Sequence, residues 1–218
     1  PGQDESPGRR RIRGQCRHET AGIDRCGFVV VLTSSDSGRP VRIYLCGSVK
    51  KGLTDNRPED EFWAPRDEMA IANALDRPVE LLNPSKTQIR RSDYFVNFGC
   101  DIFLVQSSDL LFADLRSEKG IGVGAELMFA RQAEIPVIAW LPPDSHYRRD
   151  LTDVFGEDLH NWVHPFAYAL SDYIEDSLDA VCERAKSILA GEVEPIMRNK
   201  EIKYATEAFL REYPDFQG

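Results

Sequence analysis

Short apolar runs alternate with amphipathic stretches along most of the chain. The run at residues 110–115 is continuous and apolar, which is typical of a strand covered on both faces. Similar runs at 41–46, 78–82 and 135–141 predict three more strands, and residues 162–166 predict a last one. Helical spacing of apolar residues predicts helices at 68–75, at 92–105 with Ser92 as the N-cap, after Gly124, from Ser171 onward and at 201–213.

This alternation of strands and helices predicts an α/β fold. We expect a doubly wound, mainly parallel five-stranded sheet with helices on both faces, of the Rossmann or flavodoxin-like kind. Ligands of such sheets bind at the carboxyl ends of the strands. The turns expected at that edge follow Cys46, Asn83, Leu115 and Leu141. This arrangement would bring Ser48, Asp101 and Glu126 within reach of one pocket.

A glycine-rich segment follows the strand predicted at 110–115. Gly120, Gly122 and Gly124 would let the backbone turn sharply and approach a ligand closely. The next helix is predicted to carry Glu126 in its first turn, where the helix dipole should keep the carboxylate ionised at neutral pH. Such a carboxylate suits a covalent glycosyl-transfer nucleophile. The alternative is an acidic residue that merely favours a first helical turn.

Other candidate residues lie on the predicted elements around that segment. Asp101 falls in the apolar helical stretch 99–105, where an acid must be solvated, paired or used in function. The first core strand ends in a turn at Gly47 and Ser48, and Lys50 follows. Trp63 lies in a polar loop at residues 56–65. Its indole would either stack on a flat ligand or seal the edge of the core.

Length and composition fit one sizeable core with short appendages. The chain has 218 residues, of which 42% are hydrophobic and 29% charged. Arginines clustered at 9–13 predict a basic, flexible N-terminal extension at residues 1–39, within which the apolar run 27–32 predicts an edge strand. The main domain is expected at 40–191 and a helical C-terminal tail at 192–218.

Charge and cysteine usage narrow the classes of partner. A net charge of −9 argues against a nucleic-acid partner, although it permits a local phosphate pocket. No apolar run approaches the roughly 20 residues of a membrane helix, so we expect no membrane partner. Five cysteines, odd in number and without a CxxC pair, predict reduced thiols in the cytoplasm. The four histidines form no ligand-spaced cluster with them, so neither a metal nor a cofactor is expected.

Three motifs stand in a distinctive order. They are Ile43-Tyr-Leu-Cys-Gly-Ser48, an Asp eight residues ahead of the strand-opening Asp109, and Gly122-Val-Gly-Ala-Glu-Leu-Met-Phe-Ala130. Together they resemble the nucleoside 2-deoxyribosyltransferase superfamily, which includes the nucleoside 5'-monophosphate N-glycosidases. The resemblance covers about residues 41–190, and it makes residues 40–191 a catalytic domain.

The resemblance implies cleavage of an N-glycosidic bond in a small nucleoside or nucleotide. Glu126 would attack the anomeric carbon and form a glycosyl ester, and Asp101 would protonate the departing base and later activate the acceptor. Tyr44 would orient the Glu126 carboxylate, while Gly47 and Ser48 would hold the 5' end of the sugar. The resemblance also implies a homo-oligomer, most simply a dimer, in which neighbouring subunits complete the pocket.

Gly120 departs from the family pattern. Six residues before the nucleophile the transferases carry an Asp that grips the 5'-hydroxyl, and the monophosphate glycosidases carry a Ser that helps to hold phosphate. The basic turn that contains Lys50 resembles the monophosphate branch and favours a 5'-phosphorylated substrate. The alternative within the family is a transferase that acts on unphosphorylated nucleosides.

Two hypotheses from other classes stay open. Residues 120–125 satisfy a GxGxxA dinucleotide fingerprint, with Asp144 somewhat beyond the usual spacing of a ribose-binding acid. Four polar residues separate these glycines from the strand, however, and Glu126 would repel a pyrophosphate. The other hypothesis is a nucleotide-sensing module that has lost turnover, for which Asp101 and Glu126 together would be unnecessary.

Overall fold

The computed structural model describes residues 30–31, 38–90, 92–196 and 202–216. Its strands are β1 (Val30–Val31), β2 (Val41–Cys46), β3 (Val79–Leu82), β4 (Leu110–Asp114), β5 (Val137–Trp140), β6 (Arg148–Val154), β7 (Glu157–Val163) and β8 (Tyr173–Glu175). Six of them form one sheet in the order β1-β3-β2-β4-β5-β8, and β6 and β7 form a separate antiparallel hairpin.

Five strands of the large sheet are parallel, and β1 pairs antiparallel with β3 at one edge. Without β1, the spatial order of the parallel strands by their place in the chain is 2-1-3-4-5, which is the flavodoxin-like order. The predicted α/β fold with five parallel strands is therefore confirmed. The order reverses between β2 and β4, so the crevice at their carboxyl ends is the expected ligand site.

Helices cover both faces of the sheet. They are α1 (Pro65–Ala74), α2 (Tyr94–Gln106), α3 (Ile121–Gln132), α4 (Pro165–Leu170), α5 (Leu178–Leu189) and α6 (Ile202–Glu212), with short 3-10 turns at Glu59–Glu61 and Pro84–Lys86. α1 and α5 pack on one face, and α2, α3 and α4 pack on the other. The N-cap of α2 is Asp93, whose carboxylate accepts from Val96 N–H, and the prediction of Ser92 was wrong by one residue.

β4 lies at the centre of the sheet, and its side chains belong to the core. All five residues of β4 are buried, as expected for a strand with helices on both faces. In β2, the side chains of Ile43 and Leu45 point to the layer of α1 and α5, and those of Tyr44 and Cys46 point to the layer of α2, α3 and α4. The alternation along β2 therefore places a tyrosine and a cysteine beneath α3.

Two predicted elements near the C-terminal part of the sheet were wrong. Residues 162–166 do not form the last strand, because Trp162 and Val163 belong to the hairpin strand β7 and α4 begins at Pro165. Ser171 does not cap the following helix. The chain first pairs residues 173–175 with β5 in parallel, and Ser177 then caps α5 by accepting from Ala180 N–H.

The structure describes only some of the residues near each terminus. Val30–Val31 pairs at the sheet edge, as predicted for the apolar run 27–32. The other predictions for residues 1–37 lie outside the described residues, and the domain boundaries remain predictions. α6 agrees with the helix predicted at 201–213. None of the described helices has the length and apolar character needed to cross a bilayer.

Candidate active site

Glu126 lies in the second turn of α3 and not in the first. The helix begins at Ile121, with Gly120 as its N-cap, so Gly122 and Gly124 are helical residues rather than parts of a turn. The dinucleotide fingerprint therefore lacks the immediate strand-to-helix turn that it requires. A Cβ added to Gly122 would lie 3.8 Å from Glu126 Oε1, whereas one added to Gly120 or Gly124 would meet no atom within 4 Å. The carboxylate thus packs along its own helix toward Gly122.

The Glu126 side chain is buried against β2. The residue is only 9% exposed. Among the described residues, neither its Oε2 nor the hydroxyl of Tyr44 meets a hydrogen-bond partner, although both are buried. Cys46 lies two residues after Tyr44, and its Sγ is 3.9 Å from the carbonyl oxygen of Val123 in α3. The structure therefore brings Tyr44, Cys46 and Glu126 together between β2 and α3.

The electrostatics of this cluster contradict one expectation from the sequence. The pKa of Glu126 is raised from its ordinary 4.5 to about 7, first by burial and then by the negative charge of Asp101. The neighbouring donors Cys46 and Tyr44 on β2 act in the opposite direction, because their S–H and O–H favour the ionised carboxylate. The prediction that the helix dipole keeps Glu126 ionised at neutral pH is wrong, because a pKa of about 7 leaves much of the carboxylate protonated there. The carboxylate is in the second helical turn and desolvated, and the dipole effect falls off beyond the first turn.

Asp101 reaches the same cluster from α2, which packs against α3. Its side chain is half-buried, and its charge raises the pKa of both Glu126 and Tyr44. Asp109, the other acid of that motif, lies elsewhere. It immediately precedes β4 at the amino end of the strand, where it accepts from Arg39 and from Arg42 N–H. Only Asp101 of this pair therefore belongs to the site.

Gly47 and Ser48 follow β2 at the carboxyl edge of the sheet. A Cβ on Gly47 would lie 3.1 Å from Trp63 Nε1 and 3.3 Å from Asp114 Cβ, so the close approach of these side chains requires glycine. A cavity of about 180 Å³ beside this turn is lined by Ser48, Lys50 and Trp63, among others. The structure thus groups these three predicted residues in one cavity.

Trp63 itself is largely a core residue. It is 7% exposed, its Nε1 donates to Cys46 O over 3.0 Å, and its ring centroid lies 6.0 Å from that of Trp140. This position matches the expectation that the indole seals the core edge. Its contribution to substrate binding is confined to the part that faces the small cavity and remains a prediction.

The sequence did not reveal a charged cluster centred on Asp114, the last residue of β4. The Asp114 side chain is fully buried and accepts from Arg116 Nε over 2.9 Å and from Lys119 Nζ over 3.2 Å. The same two cations donate to the carbonyl oxygens of Phe62 and Glu61. Arg116 also stacks on Trp140 at 3.8 Å. The cluster joins the loop before α3 to the loop that carries Trp63.

A signal for this cluster was present in the sequence. An acid at the end of an otherwise apolar strand must find a partner, and two cations follow it within five residues. Burial lowers the pKa of Lys119, and the charge of Asp114 acts in the opposite direction. The cluster therefore holds its charge by mutual pairing, and it fixes the loop through which the chain enters α3.

Other possible sites are less informative. Within the described part of the chain, no group of three or more His, Cys, Asp or Glu side chains is arranged to hold a metal ion. A larger cavity of about 640 Å³ lies between α4 and α6, lined mainly by apolar side chains. It contains none of the residues predicted for the site, whereas Glu126, Tyr44 and Asp101 lie close together where β2, α2 and α3 pack.

Comparisons with known proteins find similarity only among solved structures. No family model matches the chain, and no curated protein matches it. A conserved protein from Enterococcus faecalis V583 is 20% identical over 67% of this chain and 99% of that chain, with a TM-score of 0.49. A 2-deoxyribosyltransferase from Leishmania mexicana is 18% identical over 57% and 77%, with a TM-score of 0.40. A CMP N-glycosidase from Clostridium botulinum is 12% identical over 67% and 98%, with a TM-score of 0.37.

The fold of this chain rests on its own strand order and helices. Two of these structures carry the names of the two enzyme groups that the sequence motifs resemble.

Proposed function

We propose that the protein cleaves the N-glycosidic bond of a nucleoside or nucleoside 5'-monophosphate through a covalent glycosyl ester on Glu126. The observation that supports this proposal is the cluster of buried Glu126 and Tyr44 with half-buried Asp101 beside the switch point of the sheet. Two acids this close to each other can divide the roles of nucleophile and proton donor, and Glu126 acts as the nucleophile in its ionised form, which dominates above about pH 7.

The proposed reaction has two displacement steps. A carboxylate oxygen of Glu126 bonds to C1' of the sugar as the C1'–N bond breaks. The electron pair of that bond goes to the base, and the proton of Asp101 neutralises the base as it leaves. In the second step Asp101 takes a proton from water or from an acceptor base. The oxygen or nitrogen thus activated bonds to C1', and the Glu126 carboxylate is released.

A site that only bound a nucleotide would gain nothing from this arrangement. A buried carboxylate with a raised pKa destabilises the fold when it ionises. Placing a second acid close enough to raise that pKa further increases this cost. Strongly perturbed acids in a crevice are typical of catalytic sites, and this feature favours an enzyme over a nucleotide-sensing module.

A direct test combines product analysis with trapping. The protein is incubated with a panel of nucleosides and 5'-monophosphates, with and without an added acceptor base, and free base and exchanged nucleoside are measured by chromatography. Rapid acid quench followed by intact-mass spectrometry should show one added glycosyl group, located on Glu126 by peptide mapping. The adduct should be missing from Glu126→Gln and present in Glu118→Gln, which changes an exposed carboxylate of the preceding loop. Turnover in the wild-type protein without any adduct on Glu126 would exclude the covalent route.

For the 5' end of the substrate, we propose that the cavity beside Gly47 and Ser48 receives a phosphate. Backbone N–H groups of the turn after β2 and the ammonium group of Lys50 would act together there. Gly120, at the N-cap of α3, has open space where a side chain would be, but it does not line this cavity. Glu59 also lines the cavity and opposes an anion, so the balance depends on Lys50.

Replacing Lys50 or Ser48 with Ala tests this phosphate site. Loss of a charge-assisted contact should weaken kcat/KM for a nucleoside 5'-monophosphate by about 1 to 3 kcal/mol and leave the matching nucleoside almost unchanged. Lys51→Ala is the matched control, because Lys51 is an exposed lysine outside the cavity. Equal losses for both substrates, or no preference in the wild-type protein, would favour the alternative transferase that acts on unphosphorylated nucleosides.

We also propose that the protein forms a homodimer. α2, the helix of Asp101, exposes a row of aromatic residues that includes Tyr94 at 85% and Phe95 at 82%, together with Phe98 and Phe103. Large exposed apolar surfaces of this kind commonly mark an interface. Light scattering at micromolar concentration should give twice the mass of the chain, and Phe95→Glu should convert the dimer to monomer. A wild-type protein that is monomeric under these conditions would contradict the proposal.

A further inference from the structure

Cys46 lies at the catalytic cluster without a role in the reaction described above. It is fully buried in β2, two residues after Tyr44, and its side chain therefore points to the same face of the sheet. Its Sγ lies 3.9 Å from the carbonyl oxygen of Val123. Val123 is three residues before Glu126 on α3, so the thiol lies against the helical turn that leads to the nucleophile.

Glu126 needs a hydrogen-bond donor when it is ionised. Its Oε2 is buried and meets no partner among the described residues. The groups that act on the carboxylate are Tyr44 and Cys46 from β2 and Asp101 from α2, and none of these three is a cation. Asp101 disfavours the ionised form, so stabilisation of the charge falls to the hydroxyl and the thiol on β2.

We propose that Cys46 is a positioning residue for Glu126, whose S–H donates to the carboxylate when it is ionised and to Val123 O when it is protonated or esterified. This inference rests on the function proposed above. The charge on Glu126 disappears when the glycosyl ester forms and returns when the ester is resolved. The Cys46 thiol is a weak donor with the carbonyl oxygen of Val123 within reach as a second acceptor. It can therefore donate to whichever oxygen needs a partner as the charge on Glu126 changes, so that no buried group is left unpaired.

The thiol is suited to this role because it remains protonated. Burial and the nearby carboxylates of Glu126 and Asp114 raise the pKa of Cys46 well above its ordinary value, and Lys119 acts in the other direction. Cys46 therefore stays a donor throughout the neutral range. As a thiol rather than a thiolate, it also does not compete with Glu126 for the anomeric carbon.

The test compares Cys46→Ser, Cys46→Val and Cys46→Ala with the wild-type protein. The pKa of Glu126 is read directly from carboxyl carbon-13 NMR, with assignment by its loss in Glu126→Gln. Valine and alanine keep the site apolar and remove the donor, so the pKa of Glu126 should rise by about 0.5 to 1. Serine supplies a stronger donor and should restore the wild-type pKa or lower it further. Cys182→Ala, which changes a buried cysteine on the opposite face of the sheet, should leave it unchanged.

Turnover gives a second readout. The loss of kcat/KM in Cys46→Val should be about three- to tenfold at pH 6 and should vanish at pH 9, where Glu126 is ionised in every variant. A purely packing role predicts equal losses at both pH values and no rescue by serine. An unchanged pKa of Glu126 in both Cys46→Val and Cys46→Ala would overturn the proposal. The NMR measurement needs no substrate, so it tests the contact between Cys46 and Glu126 independently of catalysis. If the pKa of Glu126 changes as expected but the protein has no glycosidase activity, the proposed function is rejected and the contact between Cys46 and Glu126 is supported.

Discussion

Replacing Glu126 with Gln should make the protein more stable at neutral pH while it abolishes turnover. Gln has nearly the same shape and cannot ionise. The catalytic effect should reach orders of magnitude, because the nucleophile of a covalent mechanism is removed. The effect on stability has the opposite sign, because at neutral pH the unfolded chain releases the Glu126 proton easily, whereas the fold resists ionisation of a residue that is only 9% exposed.

The pKa of Glu126 sets the size of that effect. The folded protein holds the proton up to about pH 7, whereas the unfolded chain releases it near 4.5. The stability linked to this group is therefore fully present below pH 4.5 and is lost as the pH rises toward 7. Each pKa unit corresponds to about 1.36 kcal/mol, so the whole loss is about 3 kcal/mol, of which about 2 kcal/mol falls between pH 5.5 and 8.

Urea unfolding of the wild-type protein and of Glu126→Gln at pH 5.5 and pH 8 measures this difference. The free energy of unfolding of the variant, relative to the wild-type protein, should increase by about 2 kcal/mol between the two pH values. Glu118→Gln removes an exposed carboxylate and should follow the wild-type protein at both. If Glu126→Gln showed the same pH dependence as the wild-type protein, Glu126 would not be a buried acid with a raised pKa.

Three further substitutions have definite expected outcomes. Asp101→Asn removes a negative charge that raises the pKa of Glu126, so the acidic limb of the pH profile of kcat/KM should move to lower pH. The value of kcat should fall by about 10² to 10⁴ for strongly basic leaving groups, because the proton donor is lost. An acidic limb at the wild-type pH would contradict this coupling between Asp101 and Glu126. Gly47→Ala places a methyl group 3.1 Å from Trp63 Nε1 and should lower the free energy of unfolding, measured by urea titration, by about 1 to 3 kcal/mol. Gly124→Ala adds a methyl group in open space on α3 and should raise the free energy of unfolding by about 0.5 to 1 kcal/mol. Equal effects of the two glycine substitutions would show that the Gly47 turn is not tightly packed.

The parallel strands were predictable where local pattern and tertiary role agree. β2 and β4 are continuous apolar runs that end in turn-forming residues, and the structure places them at the centre of the sheet. The segment at 171–178 was not predictable in this way. Its apolar spacing fits a helix, but Tyr173–Glu175 pairs with β5, and the Asp172 carboxylate accepts from Val137 N–H over 2.7 Å. Contacts between residues so far apart in the chain leave no trace in a local pattern.

The residues of the candidate site were also predictable only in part. Motif order identified Tyr44, Asp101 and Glu126, and the structure brings them together. The start of α3 was placed too late, because glycines suit a turn and are also tolerated within a helix. The protonation of Glu126 was mispredicted for a related reason. Sequence position indicates the helix dipole, but burial depends on β2 and α2, which pack against the carboxylate only in the fold.

The short strand β1 also has a consequence for any shortened form of the protein. Val30 and Val31 satisfy backbone groups of Glu80 and Val79 at the outer side of β3. A chain that began at residue 38 would leave β3 as an open edge with apolar Val79, Leu81 and Leu82 beside unpaired N–H and C=O groups. Such an edge is a template for pairing with another molecule. We therefore expect the trimmed chain to aggregate through β3, even though every residue of the candidate active site would still be present.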